Sequence, residues 1–230
     1  MNDARAQVWA RLAGHGGATL EQLFAADPGR VAKLSGRIEL EQGGVAFDWS
    51  KTHLTDALLA DFRKLAEAAG FDAMRRRLFA GEVVNPSEGR AAEHSALRGV
   101  GRDASVEEAA ALRARMRMLV EAIHEGVLGE VRHLIHIGIG GSALGPALAV
   151  DALARDLSLV DVHVVSNIDG VALEAAFAAC DPAATLVAVA SKTFTTTETM
   201  TNAASALKWL ADNGVSDPTG QVIALTAAPE

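Results

Sequence analysis

A single cysteine, Cys180, is all the thiol chemistry in the 230 residues. One thiol excludes an intramolecular disulfide and a cluster of cysteines around a metal. At the end of an alanine-rich, helix-like run, Cys180 reads as a small apolar packing residue. Long apolar runs are missing too: no stretch approaches the ~20 residues that a membrane span needs. The opening segment MNDARAQVWARLAG has charges scattered through it and lacks the apolar block of a signal peptide. The expectation is a soluble, cytoplasmic protein with no membrane partner. Positive charge is in short supply, with 21 Lys+Arg against 29 Asp+Glu and a net charge of -8. That balance argues against a nucleic-acid partner, although a local basic pocket can still capture an anion. What is plentiful is apolar surface, at 50% of residues with 22% charged, which provides for a buried core.

The chain changes character near residue 100. The part before it, residues 1–100, reads as a mostly helical region with a small hairpin. Thr19 to Ala26 predicts a short helix with Thr19 as its cap. Ser35 to Asp48 predicts a hairpin, RIEL and VAFDW alternating around Gln42-Gly43-Gly44. Leu58, Leu59, Phe62, Leu65 and Ala66 recur at helical spacing between Thr55 and Ala69, with Gly70 as the stop. A second short helix is expected over Phe71 to Leu78. Asn85-Pro86 then forces an extended or turn conformation before a helix capped near Ser87.

Residues 101–230 read as an α/β domain. Ser105-Val106-Glu107-Glu108 has the form of a capping box. It would open a long helix with Leu112, Met116, Leu119, Val120, Ile123 and Val127 on one face. Four apolar runs of strand length follow: HLIHIGI, LVDVHVVS, TLVAVAS and QVIALT. Segments of helical period separate them, Leu144 to Arg155, Asp169 to Ala179 and Thr197 to Ala211. Strands that are apolar throughout and alternate with helices predict a doubly wound parallel sheet covered on both faces.

Ligands of such sheets sit beyond the carboxyl ends of the strands, where strand order reverses. After the first strand come Gly138, Gly140 and Gly141, then Ser142. Glycines allow close backbone approach to a ligand, and the next helix points its positive end at the same place. After the third strand, Ser191-Lys192-Thr193-Phe194-Thr195-Thr196-Thr197-Glu198-Thr199 gathers six hydroxyls and one ammonium. Hydroxyls, helix-start amides and a lysine together suit the oxygens of a dianionic phosphate. A rival pattern is present: Gly138, Gly140 and Ala143 fit the dinucleotide fingerprint G-x-G-x-x-A. That fingerprint needs an acid at the end of the next strand. Here the strand ends in Val165-Ser166-Asn167, and the next acid, Asp169, reads as a helix cap. His53 and His94 read as surface or satisfied-core residues, His133 and His136 as core or rim. Glu88-Gly89-Arg90 looks like a helix start with an ion pair, and an arginine near a phosphate pocket would also fit. No histidine and carboxylate pair has metal-ligand spacing, so no metal is expected.

The strings GIGGSALGP, VVSNIDG and SKTFTTTETMTNA resemble motifs of the phosphoglucose isomerase family. FDWSKTHLTDALL and NPSEGRAAEHSALR are similar to that family's N-terminal region, in the same order. The resemblance runs from about residue 45 to the end, with one departure, Ala143 where the family usually has Asp. It implies the first sugar-isomerase (SIS) domain of an enzyme interconverting glucose 6-phosphate and fructose 6-phosphate in glycolysis and gluconeogenesis. By motif match, Ser142, Ser191, Lys192, Thr193, Thr196 and Thr199 would hold the substrate phosphate, with Gly138, Gly140 and Gly141 as the supporting loop. The reaction needs no metal and no cofactor, and the family's active form is a homodimer. The catalytic base, histidine and lysine have no counterparts among these motifs and are expected C-terminal to Glu230. A non-catalytic sugar-phosphate-binding module or sensor is the alternative that the same loops would serve.

Overall fold

The computed structural model describes residues 3–41, 43–153 and 159–228. The chain divides into two compact units, Met1–Leu112 and Arg113–Glu230.

In the first unit, α1 (Asp3–Ala13) is followed by α2 (Leu20–Ala26), where Thr19 and Gln22 form a reciprocal capping box. After α3 (Arg30–Lys33) comes the expected antiparallel hairpin, β1 (Ser35–Leu40) with β2 (Gly43–Asp48); Gln42 of its turn lies outside the described residues. Its apolar side chains Ile38, Leu40, Val45 and Phe47 are exposed. Helix α4 (Asp56–Ala68) starts on the Thr55 hydroxyl and stops at Gly70, whose φ of 67° is the left-handed turn that glycine allows. Helix α5 (Phe71–Phe79) follows directly.

Arg30 is this unit's main buried charge, at 4% exposure. Its guanidinium donates to three carbonyls: Ser50 O at 2.8 Å, Leu54 O at 2.9 Å and Thr52 O. A planar five-donor fork can serve such divergent acceptors, where a lysine ammonium would not. Asp61, 8% exposed, collects His15, Arg11 and Lys64 at 3.0 to 3.3 Å.

Two expectations fail here for local reasons. No helix follows Ser87. The Asn85 side-chain carbonyl accepts both the Ser87 N–H at 3.1 Å and its hydroxyl at 2.8 Å, closing a turn instead. Gly89 at φ 63° then takes the chain off the helical path, and only a 3₁₀ turn forms, at His94–Arg98. The capping box at Ser105 does not form either. Helix α6 (Asp103–His124) begins two residues earlier, and the Ser105 hydroxyl donates to Glu93 Oε2 at 2.9 Å. No residue of α6 is fully buried, and of its apolar stripe Leu119 and Ile123 are half-buried. Val127 falls beyond the helix, which ends as a Schellman turn. There Val127 N–H donates to Ala122 O, Gly126 N–H donates to Ile123 O, and Gly126 sits at φ 72°.

The second unit carries the sheet. Strands β3 (His133–Gly138), β4 (Asp161–Val165), β5 (Thr185–Ala190) and β6 (Val222–Leu225) are all parallel, in the order β4-β3-β5-β6. Helix α7 (Gly141–Leu153) links β3 to β4, α8 (Gly170–Ala179) links β4 to β5, and α9 (Thr197–Asp212) links β5 to β6. The expected helix from Leu144 is thus α7 and starts three residues earlier; its predicted end, Ala154 and Arg155, lies outside the described residues. Every residue of β5 is buried, as a central parallel strand requires. Ile135, Ile137, Val165, Val187 and Val189 share one face and pack on Leu173 and Ala176 of α8 and Ala206 and Leu210 of α9. Helix α7 contacts β3 and β4. The doubly wound α/β architecture is as expected.

Candidate functional site

Strand order fixes where a ligand would sit. From β3 the chain moves outward to β4, and from β5 it moves the opposite way to β6, so the reversal lies between β3 and β5. Gly138 pairs with Ala190 at the carboxyl end of that ladder. The loops 139–141 and 191–196 therefore leave the sheet side by side, and each feeds the start of a helix, α7 and α9.

The first loop is built by close packing. A Cβ on Gly138 would lie 2.8 Å from the Ser142 carbonyl oxygen, so only glycine lets the first turn of α7 sit this near the strand. Gly140 takes φ 58°, and Ser142 and Ala143 N–H groups donate back to Ile139 O and Gly140 O. Among the described residues, the N–H groups of Gly140 and Gly141 donate no backbone–backbone hydrogen bond outside the regular elements, as is usual at a helix start. Ala143, at 1% exposure, is a packed methyl where a polar side chain would meet the core.

His136 completes this turn, a part that the sequence motifs leave unassigned. Pro146 lies inside α7 and has no N–H, which leaves the Ser142 carbonyl without its helical partner. The His136 ring fills the gap: Nε2–H donates to Ser142 O at 2.7 Å, which fixes that nitrogen as protonated. The signal is present in the sequence, because a proline in a helix frees the carbonyl four residues before it. Which side chain reaches that carbonyl is not.

The second loop gathers hydroxyls. Ser191 Oγ lies 3.2 Å from Thr196 Oγ1, and Thr193 Oγ1 lies 2.7 Å from Thr195 Oγ1. Between the latter pair Phe194 adopts φ 55°, a left-handed conformation unusual for a bulky residue, while packing against the hydrophobic core. The loop is pinned to the sheet's edge. Ser191 N–H donates to Leu225 O at 3.0 Å, and Lys192 O accepts from Ala227 N–H at 3.1 Å. Of the expected phosphate ligands, Lys192 and Thr193 are exposed, Ser142 and Thr196 half-buried, and Ser191 and Thr199 buried at 4% and 1% exposure. Ser191 and Thr196 are brought into contact, while Thr199 lies inside rather than on the surface.

Asn202, 3% exposed, donates from Nδ2 to Asn167 O at 2.7 Å and so ties α9 to the loop after β4. In that loop Asp169 caps α8, its carboxylate accepting the Val171 N–H at 2.9 Å. The acid is thus committed to a helix start, away from the position of a ribose-binding carboxylate. Burial pushes the Cys180 thiol up. Cavities of about 170 Å³ near Arg30 and Leu59 and about 490 Å³ near Ile123 and Val160 lie away from these loops. No helix among the described residues is long and apolar enough to cross a membrane.

Comparison with known proteins agrees with this architecture. The family model described as phosphoglucose isomerase matches residues 48–230. A glucose-6-phosphate isomerase of Erythrobacter litoralis is 63% identical over all of this chain and 46% of its own length. One of Novosphingobium aromaticivorans is 65% identical over 96% of this chain and 44% of its own. The chain spans about half the length of these curated relatives. Among solved structures, a glucose-6-phosphate isomerase from Chlamydia trachomatis superposes on 99% of this chain and 45% of its own. Its TM-score of 0.79 at 22% identity indicates a shared fold. Motifs, sheet order and the match across most of its length agree: the chain belongs to the phosphoglucose isomerase family.

Proposed function

We propose that this chain supplies the phosphate anchor of a glucose-6-phosphate isomerase, and that the anchor lies between the loop before α7 and the loop before α9. The observation that carries this reading is the pairing of Gly138 with Ala190, which sends both loops out together at the strand-order reversal. Lys192, Thr193, Thr196 and Ser142 are the donors best exposed to meet the phosphate oxygens. Ser191 acts through Thr196, and Thr199 backs the site from within. Two helix starts and one ammonium supply the charge that a dianion needs.

The isomerisation opens the sugar ring and moves a proton between C2 and C1 through an enediol, which calls for an acid/base pair beside those carbons. The two loops carry one lysine and Glu198, the latter in the first turn of α9. We assign the proton transfer to other parts of a longer, homodimeric enzyme. The role of this chain is to use phosphate binding to position the reacting carbons. On that reading the 230-residue chain binds sugar phosphate and does not turn it over.

Calorimetric titration with 6-phosphogluconate, beside an isomerisation assay, tests both halves. Binding without turnover is the expected result. Lys192→Ala with Thr193→Ala should weaken binding by about tenfold or more, because hydrogen bonds to charged groups are lost, while circular dichroism stays unchanged. Unaltered affinity in that variant would remove the second loop from the site, and turnover by the chain alone would overturn the division of labour.

A further inference from the structure

At the opposite end of the same sheet lies a second cluster that the phosphate loops do not involve. His133 opens β3 and His163 sits within β4. Because His133 pairs with Asp161, the two histidines lie on one face, two residues out of step. Their ring centroids are 6.3 Å apart. Cys180, 9% exposed, reaches the same place from the end of α8. One ligand atom from each of His133, His163 and Cys180 lies within 4.8 Å of the other two.

Each of the two rings carries a nitrogen with no hydrogen-bond partner among the described residues. His133 Nδ1 and His163 Nε2 are buried and have no hydrogen-bond partner. Asp161 Oδ2 is 3.8 Å from His133 Nδ1, within range of an ion pair but too long for a hydrogen bond. Buried ring nitrogens without partners are unfavourable, and a cation shared with the nearby thiol would satisfy them.

The donor set identifies the cation. Two imidazoles and a thiolate match the borderline-soft preference of zinc for nitrogen and sulfur donors. Bonds of roughly 2.0 Å to nitrogen and 2.3 Å to sulfur place the donors about 3.5 Å apart. The cluster would have to contract by about an ångström, which side-chain rotation can supply.

We propose that His133, His163 and Cys180 bind a zinc-class divalent cation that clips together β3, β4 and the end of α8. The site is at the amino end of β3, five residues or roughly 16 Å from Gly138 at ~3.3 Å per residue. It therefore touches neither the phosphate nor the reacting carbons, and its role is structural. The three ligands come from three separate elements, so no spacing rule applied to the sequence would gather them.

The test is titration of chelator-treated chain with Co²⁺ as a spectroscopic stand-in, followed by displacement with Zn²⁺. The expected result is one equivalent bound, tetrahedral visible bands, a thiolate-to-metal charge-transfer band, and Zn²⁺-dependent protection against thermal unfolding. Cys180→Ser should abolish the charge-transfer band. His163→Gln, checked for folding by circular dichroism, should weaken binding by about tenfold or more, at least the loss typical of a disturbed outer-shell partner. Absence of saturable binding would overturn the proposal. So would a spectrum without the sulfur band, or binding that survives in His133→Gln and His163→Gln alike, since the metal would then sit on other histidines. Affinity for 6-phosphogluconate, measured in parallel, reports on the phosphate loops alone, so failure at one site does not bear on the other.

Discussion

Gly138→Ala is the sharpest probe of the first loop. The added methyl would stand 2.8 Å from the Ser142 carbonyl oxygen and 3.0 Å from the Ser142 Cβ, where ordinary contact begins at 3.4 Å. The first turn of α7 would have to retreat by roughly half an ångström. The obstruction is backbone, and that carbonyl is already held by His136 at 2.7 Å. Overpacking of this kind costs about 1–3 kcal/mol, and a strained hydrogen bond adds about 1 kcal/mol, so the loss should be roughly 2–4 kcal/mol. With a urea dependence of about 1–3 kcal/mol per molar, the unfolding midpoint should fall by roughly 1 M or more. Gly141→Ala is the matched control. A Cβ there meets nothing within 4 Å, and the residue opens a helix, so the substitution should be neutral or stabilising by about 0.4–1 kcal/mol. Urea unfolding of the two variants beside the parent chain separates the cases. If Gly138→Ala unfolds at the parent's midpoint, or Gly141→Ala loses as much, the close approach of strand and helix is not what holds this turn.

Other consequences can be checked in the first unit. Arg30→Met removes a cation that serves three carbonyls, leaving them without donors at about 1–3 kcal/mol each, so a loss above about 3 kcal/mol is expected in urea unfolding. Arg30→Lys should recover only part of it, and full recovery would contradict the role given to the planar fork. The hydrogen bond from His15, with help from Lys64 and Arg11, holds the Asp61 carboxyl down at about 2, below its ordinary 3.8. A carboxyl depressed on folding contributes stability above its unfolded value and loses it as pH falls from about 4 toward 2. Asp61→Asn should therefore flatten the acid limb of a stability-versus-pH curve, and an unchanged limb would remove Asp61 from the account.

The sheet was readable because four apolar runs separated by helical periods leave few other arrangements. The two strand-to-helix loops were readable because glycines and hydroxyls mark the strand ends directly. Failures came where a side chain took a backbone partner that local pattern assigned elsewhere. Asn85 captured Ser87, and Glu93 captured the Ser105 hydroxyl, so two expected helix starts moved or vanished. The tying roles of His136, read as core or rim, and of Asn202 are hidden for the complementary reason. Each serves a carbonyl on a different element, His136 six residues away and Asn202 thirty-five, and neither link leaves a periodic trace. Arg30 belongs to the same class, a charge whose partners are backbone atoms and so carry no residue identity.

Phe194 sets a limit on how far this scaffold can be improved by stability alone. Its backbone at φ 55° is one that a bulky residue holds only at a cost of about 1–3 kcal/mol. Glycine at 194 would relax that strain and would look attractive to any search for thermal tolerance. Yet the aromatic ring is the weight that presses the threonine loop onto the core, and without it Thr193 and Thr195 are free to part. If the loop holds phosphate as proposed, a hardier chain obtained that way should grip that anion less well. At this one position, durability and grip select for different amino acids.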